Sequence, residues 1–183
     1  GQPFVFQAPP VPQGIPVAYT PTARLTYSYS SSLAKSITIG SQEELKRIES
    51  GGGSLPLETT AITSSPITIS VASPGPIRVF DSSFTFPLEI TLTNTGGGVV
   101  CLPDCTSDDN WIRLRISTLL GTDPVSLCTR ELTLPKGQSN TITCDVEVGK
   151  PDTGIIQKII RVESQYDYFT DATTRVTVNW ASP

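Results

Sequence analysis

Apolar and polar positions alternate without a break along residues 84–93, with Phe84, Phe86, Leu88, Ile90 and Leu92 set against Thr85, Pro87, Glu89, Thr91 and Thr93. A strand sends successive side chains to opposite faces, so this pattern predicts a strand with one buried row and one wetted row. Asn94-Thr95-Gly96-Gly97-Gly98 ends it, because Asn and Gly reach the backbone conformations that a chain reversal needs. Pro87 lacks the N–H that a ladder uses, which predicts an edge position or a bulge at that point. Residues 24–29, 36–39, 67–71, 111–117, 125–134, 140–148, 155–168 and 174–180 read as further strands. Clusters of Gly, Pro, Asn and Asp separate them. In 24–29 the residues Leu25, Tyr27 and Tyr29 share a face, and in 111–117 the aliphatic face of Ile112, Leu114 and Ile116 is the inner one.

One helix interrupts the strands. Ser41-Gln42-Glu43-Glu44 fits a capping box, with Ser at the cap and Glu three residues on. Leu45 and Ile48 then face inward, and Gly51-Gly52-Gly53 stops the helix after about two turns. A chain of many strands and one short helix predicts an all-β fold, a sandwich or barrel with short antiparallel connections.

The first 22 residues break this rhythm. They hold six prolines and one short alternating piece, residues 2–7, with Phe4 and Phe6 on one side. So much proline cannot pair as a central strand and favours extended, polyproline-like backbone. An ordered terminus of this kind needs something to hold it, either its own domain or a neighbouring molecule. The predicted organisation is therefore an extended arm, 1–22, followed by a β domain, 23–183, with its core in 67–180.

Composition narrows the partners. The 13 Lys and Arg against 17 Asp and Glu give a net charge of −4, which argues against nucleic acid or an anionic membrane surface. Ser and Thr make up about a quarter of the chain, a hydroxyl-rich surface typical of secreted β proteins and compatible with O-linked glycans. No Asn-x-Ser/Thr sequon occurs. No apolar run reaches the roughly 20 residues that cross a bilayer. The chain has no Met, even at position 1, as expected of a processed or partial sequence.

The four cysteines, Cys101, Cys105, Cys128 and Cys144, allow three pairings. The expected set is Cys101–Cys105, closing the loop CLPDC, and Cys128–Cys144, tying two strands across the turn Leu134-Pro135-Lys136-Gly137. A zinc site fits poorly, since the spacings are C-x3-C and C-x15-C and the chain contains no His. Disulfides imply an oxidising, extracytoplasmic setting.

Reaction chemistry is hard to place on this chain. Without His there is no Ser–His–Asp or Cys–His mechanism and no imidazole ligand. GxSxG, P-loop and GxGxxG motifs are missing. A carboxylate pair for glycoside cleavage needs only to meet in space, and 17 acids make chance pairs common. The loop from Asp104 to Asn110 gathers Asp104, Asp108, Asp109 and Asn110, oxygen donors that suit calcium, although their spacing does not fit the D-x-D-x-D-G loop. A solvated acidic turn is the simpler account. Trp111, Trp180, Tyr19, Tyr27, Tyr29, Tyr166 and Tyr168 could stack on a sugar if exposed together. Core packing, or a sandwich-corner role for Tyr166 and Tyr168, is the ordinary explanation. No catalytic residue, cofactor site or metal site is expected.

The succession FPLEITLTNTGGG, LTLPKGQSNTITCDVEV and IIRVESQYDYFTDATTRVTVNW resembles the Ig-like, CARDB-like β-sandwich domains of prokaryotic, especially archaeal, cell-surface proteins. That resemblance, over residues 67–180, implies an Ig-like antiparallel β-sandwich. Domains of this kind act mostly as stalks, adhesins and filament subunits. Combined with the proline-rich arm, it leads to the expectation of an extracellular, pilus-like filament subunit that polymerises head-to-tail. The arm would lie as a donor strand, or in a groove, on the next copy, with Phe4, Phe6, Val11, Ile15 and Val17 filling apolar pockets. The alternative expectation is a secreted monomeric adhesin or glycan- or protein-binding module, its arm folded on its own sandwich.

Overall fold

A computed structural model of the chain describes residues 5–101, 105, 111–120, 123–152 and 154–180, with the side chains of 111 and 114–128 outside that description. In chain order the elements begin with β1 (Val17–Tyr19), β2 (Thr22–Ser41) and α1 (Gln42–Ser50). Short strands β3 (Thr60–Ile62), β4 (Ile67–Ala72) and β5 (Ile77–Val79) lead to β6 (Ser83–Asn94) and β7 (Val99–Cys101). Then follow β8 (Trp111–Leu120), β9 (Asp123–Thr133), β10 (Ser139–Gly149), β11 (Ile155–Thr173) and β12 (Val176–Val178). The fold is all-β with one short helix, as the alternation predicts.

The chain divides into two compact units, residues 26–169 and a smaller unit made of 1–25 with 170–183. The C-terminal segment thus groups with the arm, whereas the sequence assigns it to the sandwich. The larger unit holds two sheets. One has the order β10-β6-β4; the other runs β3-β2-β11-β8-β9, with β5 added on β2 and β7 on β11. The pairs β10–β6, β4–β6, β11–β7, β11–β8, β2–β3 and β8–β9 run antiparallel, and β2 with β5 runs parallel. Between the sheets lies one apolar cluster that includes Phe86, Leu88, Ile90 and Leu92 of β6, Ile67 and Ile69 of β4, and Leu33, Ile37 and Ile39 of β2. This is a β-sandwich, with the apolar row of residues 84–92 at its centre.

Pro87 sits in the middle strand of its sheet without disturbing the register, opposite Asp145. The Asn94 N–H bonds the Gln138 carbonyl and the Thr95 N–H bonds that of Pro66, so even-numbered β6 residues point their backbone at β10 and odd-numbered ones at β4. The β4–β6 register stops at Ala72 opposite Glu89. Pro87 therefore faces the side that β4 has already left, where a missing N–H costs no ladder bond. It is locally an edge.

Residues 24–29 and 36–39 belong to one continuous strand, β2. The polar run Ser30-Ser31-Ser32 suggests a break, but Ser31 is buried and its hydroxyl bonds both Ser65 Oγ at 2.7 Å and Tyr166 Oη at 2.8 Å. Helix α1 starts as predicted, with Ser41 Oγ accepting from the Glu44 N–H at 3.2 Å. The Glu44 carboxylate turns to Arg47 instead of the cap N–H, so only half of the capping box forms. Leu45 is buried beneath it.

Candidate functional site

In the smaller unit, residues 5–16 of the arm join no strand, while Val17–Tyr19 pair antiparallel with Val176–Val178. A turn at Pro12–Ile15, closed by the Ile15 N–H on the Pro12 carbonyl at 3.3 Å, bends the arm ahead of β1. Gly14 sits at its third position with φ +75°, which a type II turn requires there. Arg24 grips Asp171 with two bonds of 2.8 Å, and the Thr174 N–H meets the Pro21 carbonyl. The guanidinium holds the Asp171 carboxyl below its usual range, first through these bonds and then through charge.

Of the expected arm contacts, Phe4 lies outside the described residues. Phe6 is 65 % exposed and Ile15 57 %, and Val5 between the two phenylalanines is 93 % exposed. Val11 and Val17 are partly buried, the latter opposite Val178. Phe6, Pro9, Tyr19, Pro21, Val176 and Val178 border a mostly apolar hollow of about 360 Å³ within this unit. No charged side chain occurs before Arg24. An arm of this composition can leave water without stranding a charge.

In the larger unit the tyrosines pack on one another. Tyr27, Tyr29, Tyr166 and Tyr168 form a cluster with ring centroids 5.1–6.5 Å apart. Tyr166 and Tyr168 are buried, and burial pushes both phenols above their ordinary range. The Tyr168 hydroxyl accepts from the Gly98 N–H at 2.7 Å and donates to Asn94 Oδ1 at 3.2 Å, locking the end of β6 to β11. Gly96 leaves room for that hydroxyl; a Cβ there would collide with it. These are the two positions for which the sequence suggests a corner role, and buried rings offer no stacking surface to a sugar. Trp111's side chain falls outside the described residues.

A second polar chain runs from Tyr166. Ser65 Oγ donates to the Ile67 carbonyl at 2.6 Å, so it accepts from Ser31, whose hydroxyl in turn accepts from Tyr166. Its end lies at the first residue of β4. No sequence pattern announces this chain, because its members are a serine inside a strand and another in a loop.

Cys101 is bonded to Cys105. Cys144 is also disulfide-bonded, and the side chain of Cys128, its expected partner, lies outside the described residues. The Asp104–Asn110 loop raised for calcium lies outside them too, Cys105 excepted. Among the described residues no group of three or more acids or cysteines is placed to hold a metal, and no helix is long and apolar enough to cross a membrane.

Comparison with known proteins finds no family model, no curated protein and no solved structure that matches this chain.

Proposed function

We propose that the chain is a non-enzymatic structural subunit of an extracellular filament, polymerising head-to-tail by docking its N-terminal arm on a neighbouring copy. The observation that carries this reading is the arm itself. It is uncharged through residue 23 and keeps Val5, Phe6 and Ile15 mostly in water. Apolar side chains so presented gain by finding a second surface. Because Val17 pairs within its own chain, the segment ahead of it is what reaches the neighbour. The contact uses different patches on the two copies, so it propagates a fibre wherever the rotation from copy to copy does not close a ring. The disulfide supports an oxidising site of residence, at a cell surface. The sequence resemblance to surface β-sandwich domains points the same way.

The test is negative-stain imaging and sedimentation of the full chain beside a Phe4→Asp, Phe6→Asp variant. Fibres from the parent and a folded monomer from the variant are expected. Fibres of equal length and number from the variant refute the reading.

A second reading draws on the apolar hollow beside β1 and β12. Its Phe, Tyr and Pro rings suit a small apolar or sugar ligand, which would make the chain a monomeric secreted adhesin or binding module. A parent that stays monomeric at high concentration favours this alternative.

A further inference from the structure

Every open sheet has edges, and the described sheets of the sandwich end at β10, β4, β3 and β9. Natural edges avoid pairing with other chains by being short, charged or proline-bearing. β3 is short, with residues Thr60–Ile62 only. β10 carries Asp145 and Glu147 on its exposed row, and its Asn140 side chain reaches the Thr133 carbonyl at the end of β9. β9 carries Arg130 and Glu131, the latter paired with Arg113. β4, ITISVA, has neither charge nor proline.

The backbone directions follow from the ladder. With Pro66 bonded to Thr95, residues 68, 70 and 72 face β6, while Ile67, Ile69 and Val71 turn their N–H and C=O groups outward. Side chains meet two of those carbonyls: Ser65 Oγ at Ile67, and Lys35 Nζ, reaching over from β2, at Val71 with 3.1 Å. Among the described residues no strand lies there. Beyond Ala72 the same side of β6, at Ser83, Thr85 and Pro87, is likewise without a strand among them.

The arm has one matching segment. Phe4-Val5-Phe6-Gln7-Ala8 is its longest run free of proline ahead of β1, so every residue in it has an N–H to give. Its five residues suit an edge of six. It is uncharged and apolar, and Val5 and Phe6 are 93 % and 65 % exposed.

We propose that the outer edge of β4 is the acceptor for residues 4–8 of a second copy, which add there as an extra strand bonded to Ile67, Ile69 and Val71. This rests on the head-to-tail reading and names the surface it uses. Backbone bonds supply affinity, and Phe4 and Phe6 on one row supply the apolar contact. The Lys35 ammonium guards the unoccupied edge at Val71 and swings away as the strand arrives.

Two measurements on the full chain test this. A photo-crosslinking benzoylphenylalanine replaces Val5, and isotope-labelled and unlabelled copies are mixed before irradiation. An adduct between copies on residues 67–72, within the tryptic peptide 48–78, is the expected result. An adduct between copies at any other strand overturns the β4 assignment while leaving head-to-tail assembly standing. Adducts within one copy only, with no fibres, overturn both.

The second is Val71→Pro. It removes an outward N–H and leaves the β6 ladder whole, so the folded monomer persists and the critical concentration for assembly rises about five- to tenfold. A folded Val71→Pro chain that assembles like the parent also overturns the assignment. If that variant fails to fold, the crosslink decides alone.

Discussion

The Tyr168 hydroxyl and Gly96 form a pair whose coupling is measurable. Tyr168→Phe removes one oxygen and leaves the buried Gly98 N–H without its 2.7 Å acceptor and Asn94 Oδ1 without its donor. A buried group so stranded costs about 1–3 kcal/mol. Gly96→Ala alone drives a methyl into the same hydroxyl and costs about 1–3 kcal/mol by overpacking. With the oxygen gone the worst contact is removed, while the methyl still meets Cζ of residue 168 and Pro66 Cβ, each at 2.9 Å, so part of the conflict remains. The double variant is therefore expected to be more stable than the sum of the single losses by about 1 kcal/mol. Urea unfolding followed by tyrosine fluorescence and far-UV circular dichroism gives the three values, provided the slope with denaturant is unchanged. Additivity within about 0.5 kcal/mol, or a Tyr168→Phe loss below about 0.5 kcal/mol, refutes the arrangement.

Asp171 is stabilised as an anion by Arg24, so its folded pKa lies below the ordinary 3.8. Its contribution to stability is whole above that ordinary value and is lost as pH falls through the lower, folded one. Carboxyl-carbon NMR should show Asp171 titrating below 3.8 in the parent and returning towards it in Arg24→Gln; an unmoved midpoint sinks the ion pair. Replacing Cys101 and Cys105 together by Ala should lower stability by about 2 kcal/mol, through the loop they close, as read by thermal melting. A melting temperature unchanged within a degree refutes that contribution. Imaging of Phe4→Asp, Phe6→Asp and of Val71→Pro tests the arm and its acceptor, with loss of fibres expected from the first and a raised assembly threshold from the second.

The strands that alternate cleanly were legible in the residues. Phe86 to Leu92 form the buried row of β6, with Phe84 partly buried at its start, and Ser41 caps the helix as its spacing with Glu44 implies. The continuity of β2 was not, because Ser30-Ser31-Ser32 carries the composition of a loop and the buried Ser31 is made tolerable by Ser65 and Tyr166, 34 and 135 residues on. Short strands such as β3, β5 and β7 leave too few residues for any period to register. The arm stood out through its prolines. Which β4 groups point outward was not legible, because that is set by the Thr95–Pro66 bond, a contact between distant residues.

The neighbour of β2 in its sheet is β11, so the strand that opens the domain waits for one near the far end of the chain. Loop closure over such a span is slow compared with forming the local β8–β9 or α1 structure. During synthesis, β2 leaves the ribosome long before its partner emerges. Until Ile155–Thr173 arrives, one flank of β2 stays open to strangers. A cell making this protein in quantity thus has reason to keep nascent chains apart until β11 is out.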